Sequence, residues 1–238
     1  MTKEEPVKHW GAAAAMRDRV TEDALYARFR AFFMTAEVSR RWNLWTDVPW
    51  EGVKRDAGAA LTDAVEAAYL EELLLPDVSA QTTRALRSSR GRAWFVTHWS
   101  YEEGKHLLAL GEWFLQTGKR TDEMLKDLSD RALGDRPREL PFGDPLAVMA
   151  DALVREYAEI QRYQRLRQAA LAEPDPALVA LCDRVLADEE AHREFFRDAL
   201  HTIAERDAAA VAEAAARVAA APHAAPYAKL LHADLRIG

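Results

Sequence analysis

Two Glu-x-x-His units are the residues of this chain best placed to do chemistry. Glu103 and His106 form one unit, and Glu189 and His192 form the other. Residues i and i+3 lie on one face of a helix, one turn apart, so the carboxylate and the imidazole can reach the same metal ion. One unit alone is weak evidence, because exposed Glu–His pairs at this spacing are common. Two units, each inside a separate long helical pattern, predict a metal site.

Further glutamates can complete a carboxylate-rich set of ligands. A dinuclear metal site in a four-helix bundle needs one more Glu from each of the other two helices. Glu156 lies in an apolar stretch before the second unit, where a buried carboxylate is costly without a partner. Before the first unit, Glu71 and Glu72 interrupt another apolar stretch, and one of them is expected to point inward. Oxygen-rich ligation with two imidazoles favours iron, or alternatively manganese, over zinc.

The segments that must position these residues are predicted to be helices. Only 10 Gly and 10 Pro interrupt the 238 residues, and Ala, Leu, Glu and Arg are strong helix formers. The fold class is therefore all-α. Apolar spacing and Gly and Pro positions predict helices over residues 22–42, 51–73, 93–116, 121–132, 145–172, 176–205 and 207–221, with a break at Pro76, a turn at 88–92 and a loop at 134–145. The helices over 145–172 and 176–205 should pair as antiparallel neighbours, and the last residues carry no strong pattern.

Length and composition predict one domain of an ordinary soluble protein. The chain is 49% hydrophobic and 30% charged. We expect a single domain over residues 1–238, with about 1–20 and 222–238 as peripheral extensions. The formal charge of -7 argues against a nucleic-acid partner, and charges interrupt every long apolar stretch, which argues against a membrane partner. Cys182 is the only cysteine, so no intrachain disulfide can form and a reducing, cytoplasmic location is expected.

The flanking residues resemble those of the soluble acyl-carrier-protein desaturases. Residues 99–106, Trp-Ser-Tyr-Glu-Glu-Gly-Lys-His, are similar to that family's Trp-x-x-Glu-Glu-x-Arg-His stretch. Residues 187–194, Ala-Asp-Glu-Glu-Ala-His-Arg-Glu, are similar to its Ala-Asp-Glu-x-Arg-His-Glu. Residues 72–76, Glu-Leu-Leu-Leu-Pro, are similar to its Glu-x-x-Leu-Pro, which favours Glu72 over Glu71, and Glu156 precedes Glu189 by the family's 33 positions. The resemblance covers about residues 37–200.

The resemblance implies a ferritin-like helical bundle with a di-metal site in its four-helix core. It implies two irons, reduced by a ferredoxin-type donor and reacting with dioxygen as co-substrate. It also implies a substrate acyl chain on an acyl carrier protein and a homodimer. The ligands it implies, with Glu103 and Glu189 as the bridges between the metals, are Glu72, Glu103, His106, Glu156, Glu189 and His192.

Three more residues are predicted to act beside the metals. Asp188 is expected to accept the free N–H of His106 and so to fix its tautomer. In the family a Trp extends this chain as an electron route, and Trp42 resembles it, although a core aromatic is an equal alternative. The family has a Thr three residues after its third Glu, where this chain has Glu159. A carboxylate there would be an extra ligand or a proton donor, or it would face solvent.

Departures from the family pattern keep other functions open. Glu159 and the compressed region 50–91 favour a di-iron oxygenase or oxidase acting on another small molecule, of the hydroxylase or N-oxygenase type. A non-catalytic iron or peroxide handler of the ferritin or rubrerythrin kind shares the same ligands. An acidic carrier protein would need basic residues at the tunnel mouth, for which the candidates are Arg40, Arg41, Arg84, Arg87, Arg90 and Arg92.

Overall fold

The computed structural model of the chain describes residues 18–134 and 139–236, and these residues are helical with no β-strand. This confirms the all-α fold class. Residues 1–17, most of the predicted N-terminal extension, lie outside the described residues. The α-helices are α1 (Arg19–Thr35), α2 (Ala59–Glu72), α3 (Leu75–Leu86), α4 (Arg90–Thr117), α5 (Asp122–Leu133), α6 (Pro145–Ala172), α7 (Pro176–Ala219) and α8 (Ala228–Leu235); a π-helical turn, Ala36–Arg40, continues α1, and 3-10 turns lie at Trp50–Gly52 and Ala225–Tyr227.

Short polar side chains and glycine set the helix ends. Asp144 and Asp175 accept backbone N–H groups at the first turns of α6 and α7, each of which begins at a proline. Gly118 ends α4 in the left-handed conformation with a φ of 69°, as its position after the apolar pattern predicts. The short connection between α6 and α7 makes them the most extensively paired helices of the bundle.

The start of α4 differs from the prediction. A turn over residues 88–92 was expected from Gly91, but α4 begins at Arg90 and includes this glycine. A Cβ at position 91 would lie 2.5 Å from the backbone carbon and oxygen of Leu25 on α1. Gly91 therefore serves a close helix crossing rather than a turn.

The C-terminal part of the chain is also more ordered than its pattern indicates. Helix α7 runs to Ala219, with a non-helical residue at Asp207 that separates the two segments predicted from the sequence. Beyond it, Ala224 and Leu231 are fully buried in the core. The Tyr157 hydroxyl donates to Asp234 at 2.8 Å, which fixes α8 against α6. The described part of the predicted C-terminal extension thus contributes three buried side chains, those of Ala224, Leu231 and Leu235, to the core.

The apolar core consists of two clusters. Along α4, Phe95 and Trp99 belong to one cluster, and Leu110 and Trp113 belong to the other. The same division recurs along α6 and α7. A buried layer of charged side chains lies between the clusters, and it contains the predicted ligands. None of the described helices is long and apolar enough to cross a membrane.

Candidate metal centre

Four helices place the six predicted ligands in the polar layer. All six side chains are buried. Glu72 is the last residue of α2, the two Glu-x-x-His units lie mid-helix on α4 and α7, and Glu156 lies mid-helix on α6. The i, i+3 spacing puts each Glu and its His on the inward face, so the local helix geometry and the bundle packing act together.

The six residues form two overlapping groups, and either group could hold a metal ion. In each group one ligand atom per residue lies within 4.8 Å of all the others. Glu103 and Glu189 belong to both groups, which is the arrangement that two bridging carboxylates require. The first group is Glu72, Glu103, His106 and Glu189, and the second is Glu103, Glu156, Glu189 and His192.

Unpartnered atoms in the centre fit metal ions. Nδ1 of His106, Nδ1 of His192, Oε2 of Glu156 and both carboxylate oxygens of Glu189 are buried without a hydrogen-bond partner. Nδ1 of His106 lies 3.2 Å from Oε1 of Glu189, and Nδ1 of His192 lies 3.2 Å from Oε1 of Glu103. Buried polar atoms are normally satisfied, so converging lone pairs of this kind call for cations. Four carboxylates with two imidazoles suit iron or manganese.

Two outer carboxylates orient the histidines. Nε2 of His106 lies 3.3 Å from Oδ2 of Asp188, and Nε2 of His192 lies 2.9 Å from Oε2 of Glu102. Each contact occupies the outer ring nitrogen and leaves Nδ1 facing the centre. The structure thus places Asp188 where the sequence predicts it. Glu102 was missed, although each unit reads acid-Glu-x-x-His, and this repetition was the available signal.

Trp42 and Arg40 complete this outer layer. The indole N–H of Trp42 donates to Oδ2 of Asp188 at 2.8 Å, so the hydrogen-bonded series Trp42, Asp188 and His106 is present in the structure. Arg40 forms an ion pair with Asp188 and lies 3.2 Å from Oε1 of Glu102, so one guanidinium serves both outer acids.

Two of the six arginines that the sequence offers for binding an acidic carrier protein contact acidic side chains of this chain instead. Arg40 lies against the outer acids, and Arg92 is buried with its NH2 3.3 Å from Glu22. The other four, Arg41, Arg84, Arg87 and Arg90, are exposed.

Without metal, burial and the mutual contacts of the carboxyl groups and imidazoles shift the pKa values of the ligands. Burial raises the pKa of both Glu72 and Glu156, and neighbouring carboxylates add to the rise. Burial opposes protonation of His106 and His192, but hydrogen bonds to Asp188 and Glu102 respectively, together with the nearby carboxylate of Glu103, outweigh it, and both imidazole pKa values are raised. The same histidines hold the pKa of Glu103 well below its usual range, although burial acts in the opposite direction.

Tyr163 fixes the ligand on α2. Its fully buried hydroxyl donates to Oε1 of Glu72 at 2.6 Å. Sequence reasoning missed this residue; the signal was its position seven residues after Glu156, two turns along the same helix face. Glu71 is exposed, belongs to neither ligand group and lies 3.9 Å from Arg162. The structure thus places Glu72, and not Glu71, among the buried carboxylates.

A cavity reaches the centre from one side. It encloses about 440 Å³ including its open mouth. Leu74, Leu75, Val78 and Trp99 form its apolar wall. Its other lining residues are Arg155 and five glutamates, Glu71, Glu72, Glu103, Glu156 and Glu159.

Glu159 lies in the wall of this cavity and outside both ligand groups. It forms an ion pair with Arg162, and its side chain is 21% exposed. Burial raises the pKa of Glu159 to about 7, against the opposing effect of Arg162. This carboxyl group can therefore hold or release a proton near neutral pH beside the centre.

Comparison with known proteins identifies the architecture. Residues 90–205, from α4 into α7, match the Ferritin-like domain family. The fold is ferritin-like. Five of the six predicted ligands fall within the matched part of the chain, and Glu72 precedes it. The match supports the ferritin-like superfamily and is not specific to the acyl-carrier-protein desaturases. No curated protein matches the chain.

Proposed function

We propose that this ferritin-like chain is a di-iron oxidoreductase that uses dioxygen to oxidise a small molecule. The observation that carries the proposal is the pair of overlapping Glu/His groups, in which both histidines present an unpartnered Nδ1 to the centre. A bundle built only for stability would not bury four carboxylates without matched partners.

In this proposal Glu72, Glu103, His106 and Glu189 would hold one ion, and Glu103, Glu156, Glu189 and His192 would hold the other. When bound, two iron ions supply the redox chemistry toward dioxygen. The protein keeps both imidazoles in the metal-binding tautomer through the outer acids.

The chain's own residues also exclude water from the centre and hold a proton beside it. The two apolar clusters exclude bulk water from both sides of the polar layer. The carboxyl oxygen of Glu159 carries a proton at the cavity wall, within reach of a molecule bound there.

The cavity favours a small polar substrate. Six of its ten lining residues are ionisable, and the other four are apolar. Burying a long acyl chain against Glu71, Glu159 and Arg155 would desolvate charges without compensation. An amine or another small polar molecule would instead find hydrogen-bond acceptors beside the centre.

A carrier-bound acyl chain is the second candidate substrate. The hydrogen-bonded series Trp42, Asp188 and His106 favours it, because this series is what the resemblance to the acyl-carrier-protein desaturases implies. In this case a ferredoxin-type donor would supply the electrons, and four exposed arginines remain for an acidic carrier.

Metal content and product analysis test the proposal together. We expect about two irons per chain after anaerobic loading, and loss of both in Glu189→Ala because this residue belongs to both groups. The matched control Glu71→Gln should retain both ions. Oxygen consumption and mass spectrometry with amines, aromatic compounds and an acyl carrier protein then separate the substrate classes.

Two results would contradict the proposal. Glu189→Ala with unchanged iron content would show that the six residues are not the ligands. Iron oxidation in a many-subunit shell, with no oxidised organic product, would instead indicate iron storage.

A further inference from the structure

One arginine contacts both of the carboxylates that orient the histidines. Arg40 forms an ion pair with Asp188, and its NH1 and NH2 lie 3.2 Å and 3.3 Å from the two carboxylate oxygens of Glu102. These outer acids contact His106 and His192 respectively. A guanidinium group carries several N–H donors in one plane, which allows it to hold two carboxylates at once. Arg40 therefore acts on each histidine through one carboxylate.

The π-helical turn at the end of α1 places Arg40 in this position. The turn covers Ala36–Arg40, and α1 itself is α-helical as far as Thr35. Its i→i+5 hydrogen bonds put more residues into a turn than an α-helix has, so Arg40 is rotated away from the direction that a continued α-helix would give it. The guanidinium carbon lies 5.0 Å from the centre of the Phe32 ring, and the Arg40 side chain is 11% exposed. π-helical turns are rare and frequently lie at functional sites, and this one brings a nearly buried charge to the centre.

The two Glu-x-x-His units differ at the residue directly before the histidine. In the first unit this residue is Lys105, whose Nζ lies 3.6 Å from Oδ2 of Asp188, the outer acid of His106. In the second unit it is Ala191. Because the outer contacts cross between the units, a cationic side chain at position 191 would be expected to lie beside Glu102. The second unit thus has no cation at the position where the first unit has one.

Arg40 supplies the positive charge beside Glu102. Among the described residues it is the only permanently charged cation paired with Glu102, whose other ion-pair contacts are with His98 and His192. Glu102 is 3% exposed, and a carboxylate buried this deeply is costly without a cation. We propose that Arg40 is a positioning residue for both histidines of the centre. Toward Glu102 it takes the place that a cation at position 191 would have.

The two sides of the centre depend on Arg40 to different degrees, an inference that rests on the di-metal function proposed above. Without Arg40, Asp188 would keep its other cation, Lys105. Glu102 would keep no permanent cation among the described residues. It also lines a cavity of about 500 Å³, including the open mouth, in which its carboxylate could turn toward water. Loss of Arg40 should therefore disturb the His192 side of the centre more than the other side.

Proton NMR of the full chain loaded with Co²⁺ as the probe metal tests this role. A histidine bound to Co²⁺ through Nδ1 gives a strongly shifted, exchangeable Nε2–H signal, so the wild type should show one such signal for each histidine. Arg40→Met should displace both signals, and the affinity for Co²⁺, measured by titration, should fall by about 10–100-fold. Trp42→Phe removes a donor to Asp188 only, so it should displace one signal and thereby identify it as that of His106.

A second substitution tests the place of Arg40 beside Glu102. Ala191→Lys, combined with Arg40→Met, should restore the signal of His192 but not that of His106, and should raise the Co²⁺ affinity again. Arg40→Lys keeps the charge but has one ammonium group instead of a planar fork, so it should hold only one outer acid and leave one signal displaced. Because Arg40→Lys retains the buried positive charge, it keeps the test available if Arg40→Met does not fold.

Arg41→Met is the matched control. Arg41 is the next residue in the chain, but its side chain is 76% exposed and pairs with Glu37, so both histidine signals should be unchanged in this variant. Unchanged histidine signals in Arg40→Met, or a failure of Ala191→Lys to restore either signal, would overturn the role of Arg40 and leave the di-metal function standing. A wild type that does not bind two Co²⁺ ions would contradict both proposals.

Discussion

In each of the two histidines of the centre, the two ring nitrogens face different partners. Nε2 of each contacts an outer carboxylate, and Nδ1 of each faces the ligand groups. The outer contacts cross between the units, because Asp188 precedes Glu189 but contacts His106, while Glu102 precedes Glu103 but contacts His192. Each helix therefore positions the histidine of the other, and neither unit is complete alone.

At the residue scale, Glu159 offers the sharpest functional test. Its pKa of about 7 predicts an ionisation near neutral pH in the profile of turnover against pH. We expect Glu159→Gln to remove this ionisation and to lower turnover by about 10²-fold or more, with iron content unchanged. Steady-state kinetics across pH, with Glu71→Gln as the control, would measure both effects. Loss of iron in Glu159→Gln would mean instead that this residue is a ligand.

At the scale of elements, the bundle depends on close helix crossings and on polar caps. Asp175 shows how one residue serves two elements. Its Oδ1 accepts the Leu178 N–H at 2.9 Å at the start of α7, and its Oδ2 accepts the Trp113 indole N–H of α4 at 2.7 Å. The start of α7 and the far end of α4 are thereby held at a fixed distance, which helps to set the register of the two Glu-x-x-His units.

Gly91 sets the crossing of α1 and α4. A methyl group at this position would lie 2.5 Å from the Leu25 backbone, which cannot yield as a flexible side chain would. We expect Gly91→Ala to lower the free energy of unfolding by about 1–3 kcal/mol or more. Urea denaturation measures the change. Gly143→Ala, where a Cβ would meet nothing within 4 Å, is the control, and equal effects of the two changes would contradict a close crossing at Gly91.

At the scale of the whole molecule, a charged layer divides the apolar core. Without metal this layer holds carboxyl and imidazole groups whose pKa values are displaced in opposite directions. With metal, the imidazoles must be neutral and the carboxylates ionised. The stability of the bundle is thus linked to both metal and pH.

The metal-free protein should lose stability as pH rises. The raised pKa values of His106 and His192 stabilise the fold below the ordinary value of 6.5, and this contribution is lost as pH rises through the folded-state values. The pKa values of Glu72 and Glu156 are also raised, so these groups likewise make the folded state less stable as pH rises above 4.5, the ordinary pKa of a glutamate.

We therefore expect the melting temperature of the metal-free protein to fall from about pH 6.5 to about pH 9. The additional stability conferred by iron or manganese should increase over the same range, since protons no longer compete for the ligands. Calorimetry of chelator-treated and reloaded protein would measure both trends. A metal-free protein whose melting temperature is constant over this range would contradict the linkage.

Much of this molecule could be predicted from local sequence information. Helix formers, apolar spacing and few Gly or Pro residues determine the all-α class, and the i, i+3 spacing of Glu103 with His106 and of Glu189 with His192 determines that each pair shares a face. These properties depend on neighbours in the chain, so the sequence alone contains them. The position of Asp188 directly before Glu189 is local as well, but its contact with His106, 82 positions away, was predicted with the help of the resemblance to the desaturases.

Contacts between distant segments were decided only in three dimensions. Nothing near Gly91 in the sequence shows that the backbone of Leu25 will lie against it. The spacing of Tyr163 from Glu156 puts it on the inward helix face, but does not show that its hydroxyl will meet Glu72, 91 residues earlier. Arg40 appears basic and exposed in the sequence, yet the packing places it between Asp188 and Glu102. The physical reason is that the burial and the partners of a side chain depend on which helices pack together. That packing is determined by the apolar faces of all the helices jointly, so no single segment of the sequence contains it.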